Sequence, residues 1–296
     1  MMNWLQLLQK IQDGDVRSIA RVISLVENEA PGYEELLQTL PATATPVIGI
    51  TGPPGAGKST LTDALIGEMV KEGKKVAVLC VDPSSPFNRG ALLGDRIRMS
   101  EWYNHASVYI RSLATRGSLG GLHPKIIEIS GLLKAAPFDY IVVETVGVGQ
   151  SEVEIAGLAD ITIVVLVPEA GDEVQIMKAG LMEIADIFVV NKADRPDADT
   201  FLKNLKLMIQ PAMNIPAIKT VASQKTGITE LYTAIGKALQ QVNASDIKYR
   251  LLAEKAYYLI QKQRMKDISK EELAEVIKKE EVSNIYAFVK KYYMFL

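Results

Sequence analysis

A glycine-rich stretch with one lysine and two hydroxyl side chains, GPPGAGKST at positions 52–60, has residue types that can bind a polyphosphate. Residues 52–59 fit the pattern G-x-x-x-x-G-K-[ST], between an apolar run and a helical pattern. Glycine lets backbone N–H groups turn inward, and these groups with the following helix N-terminus bind phosphate oxygens. An ordinary glycine-rich turn is the alternative, but every fixed position of the pattern matches. The predicted cradle consists of Gly52, Pro53, Pro54, Gly55, Ala56, Gly57, Lys58, Ser59 and Thr60.

Within this cradle, two side chains have predicted chemical roles. We expect Lys58 to reach the β- and γ-phosphates, and Ser59 to ligate Mg²⁺. The expected ligand is therefore a nucleotide with its magnesium ion.

The choice of base is indicated by NKAD at positions 191–194, at the end of an apolar run. Guanine presents a ring N–H beside an exocyclic amino group, and the Asp194 carboxylate can accept from both. Adenine has no such donor pair and would leave this carboxylate unpaired. We expect Asn191 to contact the base edge and tie this loop to the cradle, and the Lys192 stem to lie against the base plane. The pattern predicts GTP and GDP as ligands.

Carboxylates at strand ends are candidate magnesium ligands, because P-loop enzymes place such a group near the metal. Asp82 follows VLCV and Glu144 follows YIVV, although either could be a simple strand-end cap. Asp95 is a third candidate, with a helix N-cap as its alternative role.

The stretch ETVGVGQSE, positions 144–152, lies where GTPases sense the γ-phosphate. We expect the Gly147 N–H to bond this phosphate and the loop to be released when the phosphate is lost. The next residue is Val148, so the usual water-orienting glutamine is missing there. Gln150 is a candidate for hydrolysis, and a solvated loop residue is its alternative. The pattern predicts slow intrinsic GTP hydrolysis that a partner accelerates.

Short apolar runs alternate with longer amphipathic segments between residues 46 and 243. Most runs are rich in Val and Ile without polar alternation, which is typical of strands buried on both faces. The predicted class is α/β: a P-loop NTPase with a mostly parallel central sheet flanked by helices. Residues 1–45 are predicted to be an N-terminal helical extension, and residues 244–296 a C-terminal helical arm. Buried helical turns are the alternative for some runs, but flanking glycines and prolines and the short lengths argue against it for at least five of the seven. The runs are 46–50, 75–81, 107–113, 140–144, 161–167, 187–191 and 215–221.

Composition narrows the class further. The chain has 296 residues, a net charge of −2, 33 basic and 35 acidic side chains. This balance predicts bulk electrostatic binding of neither nucleic acid nor an anionic membrane. Cys80 is the single cysteine, which suits a reducing cytosol and excludes an internal disulfide framework. The N-terminus lacks a signal-peptide layout, and no apolar run approaches the roughly 20 residues needed to span a bilayer. We expect a cytoplasmic protein.

Taken together, these motifs resemble the MeaB/ArgK family, the methylmalonyl-CoA-mutase-associated GTPases. The resemblance covers roughly residues 1–240 and is weaker in the tail. It is carried by GPPGAGKST, VDPSSPFNRGALLGDRIRM, RGSLGGL, VVETVGVGQSEVEIAGLAD, EAGDEVQIMKAGLMEIADIFVVNKAD and GITELYTAI.

The resemblance implies a GTP-hydrolysing protein that loads or protects an adenosylcobalamin-dependent acyl-CoA mutase. It places Asp82 and Glu144 on the family's Mg²⁺-associated carboxylates, and Asp95 with Arg98 in its first switch region. Residues 168–180, including Lys178, fall in a third switch loop that signals to the mutase. The family's usual state implies a homodimer formed through the C-terminal arm. The loop that usually reads Ser-Ala near the guanine is here Val221, Ala222 and Ser223, where we expect a backbone contact.

Two other functions remain as alternatives. A metal-delivery GTPase of the same group would need a cluster of metal ligands, whereas this chain has one cysteine and two histidines, His105 and His123. Packing is the simpler role for both histidines. A P-loop small-molecule kinase would need an acceptor pocket and usually reads adenine, against which NKAD argues.

Overall fold

The computed structural model describes residues 4–82, 99–115, 122–145, 151–168, 181–209, 215–241, 246–265 and 268–293. The chain forms two compact units, Met1–Lys248 and Tyr249–Leu296. The predicted division at residues 45 and 243 stays a prediction. The predictions for Asp95, Arg98, Gly147, Gln150 and Lys178, and for positions 169–180, concern residues outside the described ranges.

The centre of the first unit is a seven-stranded sheet with the order β3-β2-β4-β1-β5-β6-β7. Every described pairing between these strands is parallel, so the predicted α/β class is confirmed. The order places β1 between β4 and β5, in the middle of the sheet. The strands are β1 Val47–Thr51, β2 Val76–Asp82, β3 Val108–Ala114, β4 Tyr140–Glu144, β5 Ile161–Leu166, β6 Ile187–Val190 and β7 Ala217–Lys219.

Both faces of the sheet are apolar because successive strand residues point to opposite sides. In β2, Ala77, Leu79 and Val81 pack on one side, whereas Val76, Val78 and Cys80 pack on the other. Such a sheet needs helices on both faces, which gives three layers. The described helices of this unit are α1 Trp4–Gln12, α2 Val16–Glu27, α3 Tyr33–Gln38, α4 Lys58–Lys71, α5 Ile126–Lys134, α6 Ser151–Leu158, α7 Leu181–Ile184, α8 Ala198–Met208 and α9 Ile228–Gln240.

Helices α1 to α3 cover one face of the sheet together with α5 and α6. Their buried side chains, such as Ile11, Ile19 and Val22, share one core with Leu79 and Val143 of the sheet. Helices α4 and α9 cover the opposite face. The N-terminal helices therefore complete the layer on the face of the sheet opposite the one that α4 covers.

A polar network joins these N-terminal helices to β3 and to the segment before α5. Glu27 of α2 accepts from the Arg111 guanidinium, and His123 Nε2 lies 3.8 Å from its other oxygen. Lys125 Nζ lies 2.8 Å from Glu29 Oε1 and donates to the Tyr33 hydroxyl at 2.9 Å. Burial disfavours the charged form of Lys125. The bonds to Glu29 and Tyr33, with a nearby acidic charge, outweigh burial and raise the pKa of this lysine.

Replacing the central carboxylate of this network should destabilise the fold. We expect Glu27→Ala to lower the free energy of unfolding by about 2 kcal/mol, because Arg111 loses its carboxylate partner in a partly buried site. The Glu27 side chain is 9% exposed and that of Arg111 is 29% exposed. Urea unfolding measures the change, with the exposed Glu35→Ala on α3 as a matched control. Equal stability of the two variants would show that the network contributes little.

The described C-terminal helices are α10 Asp246–Arg264, α11 Lys270–Lys279 and α12 Ile285–Tyr293. Ser269 caps α11 by accepting from the Glu272 backbone N–H at 2.9 Å, and the two residues have the spacing of a capping box. Large apolar side chains of these helices are exposed, including Tyr257, Ile260 and Tyr286. Within the described ranges, no helix is long and apolar enough to cross a bilayer.

Candidate nucleotide-binding site

The loop between β1 and α4 has backbone conformations that favour glycine. Gly52, Gly55 and Gly57 have φ angles of 138°, 79° and 88°, all in a region that L-residues with a side chain rarely adopt. A Cβ on Gly52 would lie 2.1 Å from the Val165 carbonyl oxygen of β5. The loop thus stays close to the sheet while it turns from the end of β1 into the first turn of α4.

Lys58 begins α4 and is 7% exposed. Its Nζ donates to the carbonyl oxygens of Gly52, at 2.9 Å, and Pro53, at 3.1 Å. The ammonium group is therefore held against the loop, at the N-terminus of a helix. A buried cation beside backbone N–H groups is a strong binding site for phosphate oxygens.

Ser59 lies beside Glu144, which ends β4. The register pairs Glu144 with Ile50 of β1, so the carboxylate reaches the start of α4. Ser59 Oγ lies 2.6 Å from Glu144 Oε1, and Thr62 Oγ1 lies 3.1 Å from Glu144 Oε2. Glu144 is 5% exposed. Hydroxyl and carboxylate oxygens are the donors that Mg²⁺ prefers, so the side chains present fit this ion.

The sequence motifs did not predict a role for Thr62. Its spacing from Ser59 could have indicated one, because residues three apart lie on the same helix face. The positions of the other two predicted carboxylates are not described. Asp82 ends β2, and its side chain lies outside the described part of the chain, as does all of Asp95.

Asn191 connects the predicted base-binding loop to the phosphate loop. Its Nδ2 donates to the Ala56 carbonyl at 2.9 Å. Its Oδ1 accepts from the Thr220 hydroxyl at 3.0 Å and from the Ala222 N–H at 3.1 Å. Asn191 is 2% exposed, and a Cβ on Gly57 would lie 2.4 Å from its Nδ2. The two loops and the segment after β7 therefore form one connected edge.

The remaining residues of this edge surround Asn191. Lys192 has a φ angle of 56°, which turns the chain after β6, and Asp194 is exposed. Val221 pairs with Thr226, while Ala222 and Ser223 lie in a single turn of 3₁₀ helix. The Ala222 N–H already donates to Asn191. The predicted contacts of these residues with guanine stay predictions.

The two histidines make local contacts with the backbone. His105 Nδ1 accepts from the Ser107 N–H at 3.2 Å, and His123 Nδ1 accepts from the Lys125 N–H at 3.0 Å. Among the residues that the structure describes, no group of three or more His, Cys, Asp or Glu side chains is placed to hold a metal ion.

The parallel sheet, the glycine loop at the end of its central strand and the lysine at the helix start define the chain as a P-loop nucleotide-binding protein. The model of the family "Methylmalonyl Co-A mutase-associated GTPase MeaB" matches residues 19–278. The chain belongs to this family of GTPases, as the motifs predicted.

Individual relatives agree with this assignment. A putative GTPase of Pyrococcus abyssi is 50% identical over 240 residues, 78% of this chain and 74% of the relative. The GTPase ArgK of Escherichia coli is 37% identical over 244 residues, 77% of this chain and 73% of that protein. A fused isobutyryl-CoA mutase of Geobacillus kaustophilus is 36% identical over 250 residues, 77% of this chain and 23% of the mutase.

A solved structure shares the fold. The crystal structure of an LAO/AO transport system kinase superposes with a TM-score of 0.66, covering 100% of this chain and 99% of that chain at 24% identity. This likeness concerns the fold alone.

Proposed function

We propose that this GTPase is a chaperone that assists cofactor loading and protection of an adenosylcobalamin-dependent acyl-CoA mutase. It binds GTP with Mg²⁺, and its response to the γ-phosphate controls how it engages the mutase. Hydrolysis to GDP is slow in the free protein. The proposed site of action is the cytoplasm.

The similarity to the fused isobutyryl-CoA mutase carries this proposal. In that protein, the part similar to this chain is covalently joined to a much longer remainder, since it accounts for 23% of the length. A covalent link holds two parts at a high effective concentration. Where the similar part is a separate chain, a docking surface must replace the link, and a nucleotide can regulate docking.

The geometry around Lys58 supports the nucleotide part of the proposal. The buried lysine and the helix N-terminus bind the β- and γ-phosphates, and Ser59 with Glu144 holds the magnesium ion. When bound, Mg²⁺ neutralises charge on the phosphate oxygens. Asn191 fixes the base-binding loop against the phosphate loop, so that base and phosphate recognition are coupled. Asp194 selects guanine. Asp82 and Asp95, Gly147, Gln150 and Lys178 keep the roles predicted from the sequence.

A homodimer is part of the same proposal. The described C-terminal helices expose Tyr257, Ile260 and Tyr286, and a second copy of the chain would remove these side chains from water. A metal-delivery role gains no support from the described residues, because both histidines use Nδ1 to accept backbone hydrogen bonds.

The proposal is tested by capture of the partner. The protein, loaded with GDP or with a non-hydrolysable GTP analogue, is immobilised and exposed to an extract of its source cells. We expect capture of an acyl-CoA mutase, followed by an affinity difference of about tenfold between nucleotide states, equal to ~1.4 kcal/mol of coupling. Titration of the purified mutase measures this affinity, and release of its bound cobalamin is followed by absorbance.

Lys58→Ala serves as the variant that does not respond to nucleotide. Lys71→Ala, at the exposed end of the same helix, is its matched control. Capture of other proteins only, or a mutase affinity that is the same in every nucleotide state, would contradict the chaperone role.

A further inference from the structure

We infer that Thr62 is a positioning residue for the magnesium site: its hydroxyl holds one oxygen of Glu144 so that the other faces Ser59. The inference rests on the proposed magnesium role of Ser59 and Glu144. It adds a residue that neither the P-loop pattern nor the strand-end carboxylates include.

The first observation is where Thr62 lies. It is 0% exposed and lies on α4 among buried apolar side chains such as Leu61, Leu65 and Ile66. A buried hydroxyl costs free energy unless it forms hydrogen bonds. A threonine at this position therefore needs acceptors, whereas an aliphatic residue of similar size would need none.

The second observation is that Thr62 has two acceptors for one proton. Its Oγ1 lies 2.9 Å from the Lys58 carbonyl oxygen, four residues earlier, and 3.1 Å from Glu144 Oε2. A hydroxyl has a single donor hydrogen, and an ionised carboxylate can only accept. A bond to an ionised carboxylate is charge-assisted, which favours the carboxylate as acceptor although the carbonyl oxygen lies closer.

The third observation is that Glu144 is bonded at both oxygens by residues of one helix. Ser59 Oγ lies 2.6 Å from Oε1, while Thr62 contacts Oε2. The terminal torsion of a glutamate has a broad energy minimum, so a single contact would leave the carboxylate plane free to rotate. Two contacts from adjacent turns of α4 fix that plane. Ser59 can then donate its proton to a carboxylate oxygen of fixed orientation.

The test replaces Thr62 by valine, which keeps the β-branched shape and removes the hydroxyl. We expect the Mg²⁺ concentration needed for half-maximal retention of a fluorescent GDP analogue to rise about tenfold, as for loss of a hydrogen bond to a charged group. Affinity for the same analogue in EDTA should be unchanged. Thr62→Ser, which restores the hydroxyl, should return the Mg²⁺ requirement to that of the original protein.

Thr233→Val is the matched control. Thr233 donates to the Thr229 carbonyl, four residues earlier, at 2.8 Å, and it is exposed on α9 away from any of these groups. This variant measures the effect of losing a helix-internal hydrogen bond alone. An unchanged Mg²⁺ requirement in Thr62→Val, or no recovery in Thr62→Ser, would overturn the positioning role.

The same titration distinguishes failure of the Thr62 inference from failure of the proposed magnesium role of Ser59 and Glu144. If the original protein retains the GDP analogue equally with Mg²⁺ and with EDTA, the magnesium assignment of Ser59 and Glu144 fails, and the role of Thr62 fails with it. If the original protein and Thr62→Val both depend clearly on Mg²⁺ and need the same Mg²⁺ concentration, the magnesium assignment stands and only the positioning role is wrong.

Discussion

Lys58→Ala should lower GTP affinity by about 100-fold or more, because each charge-assisted hydrogen bond contributes roughly 1.5–3 kcal/mol and Lys58 is expected to bond two phosphates. The buried position of Lys58 strengthens the effect, since water does not screen a charge that is 7% exposed as it screens a surface charge. GTP hydrolysis should fall with binding. Isothermal titration with GTP and single-turnover hydrolysis measure the two effects.

Lys71→Ala is the control for this prediction. Lys71 belongs to the same helix, but its side chain is 74% exposed and pairs with Glu68 at 3.0 Å. Its removal should leave GTP affinity within about twofold, because an exposed ion pair contributes little. Thermal unfolding of both variants shows whether they are folded. Normal GTP hydrolysis by folded Lys58→Ala would show that the phosphate site has been assigned wrongly.

Asp194→Asn should weaken GTP binding by about 100-fold and change which base the protein prefers, because two hydrogen bonds to a charged acceptor are lost at roughly 1.5–3 kcal/mol each. An amide has one acceptor and one donor side, so asparagine matches the ring N–H and 2-oxo group of xanthine better than guanine. We therefore expect the affinity ratio of XTP to GTP to rise. Competition of GTP, XTP and ATP against a fluorescent GDP analogue measures the ratio.

Asp197→Asn tests whether a change of charge in this loop is enough. Asp197 is exposed and has a φ angle of 67°, a conformation that asparagine tolerates. Its replacement should leave all three affinities near their original values. An unchanged preference for GTP over ATP and XTP in Asp194→Asn would count against Asp194 as the residue that selects guanine.

The strands show how much of the fold local sequence patterns can predict. All seven predicted runs are strands, because continuous Val- and Ile-rich segments buried on two faces have few other stable arrangements. The last run is shorter than predicted: β7 covers Ala217–Lys219, within the predicted range 215–221. Pro216 before it has no N–H to donate to the sheet, and β7 lies at an edge.

The phosphate loop was also predictable, but its contacts were not. The glycines of the motif predict backbone turns at Gly55 and Gly57, and both residues have positive φ angles. The close approach of Gly52 to Val165, however, depends on β5 lying next to β1. The spacing of residues within the motif does not indicate which strand lies next to β1.

Short motifs were enough to predict the residue types of the site, because a phosphate cradle and the carboxylate predicted to select guanine depend on strict local geometry. Which of these groups meet depends on the tertiary structure. Ser59 meets Glu144 across 85 residues, and Asn191 meets the Ala56 carbonyl across 135. Those contacts follow from a strand order in which β4 and β5 flank β1 and β6 follows β5. That order results from packing of the whole sheet between its helices, which no local pattern encodes.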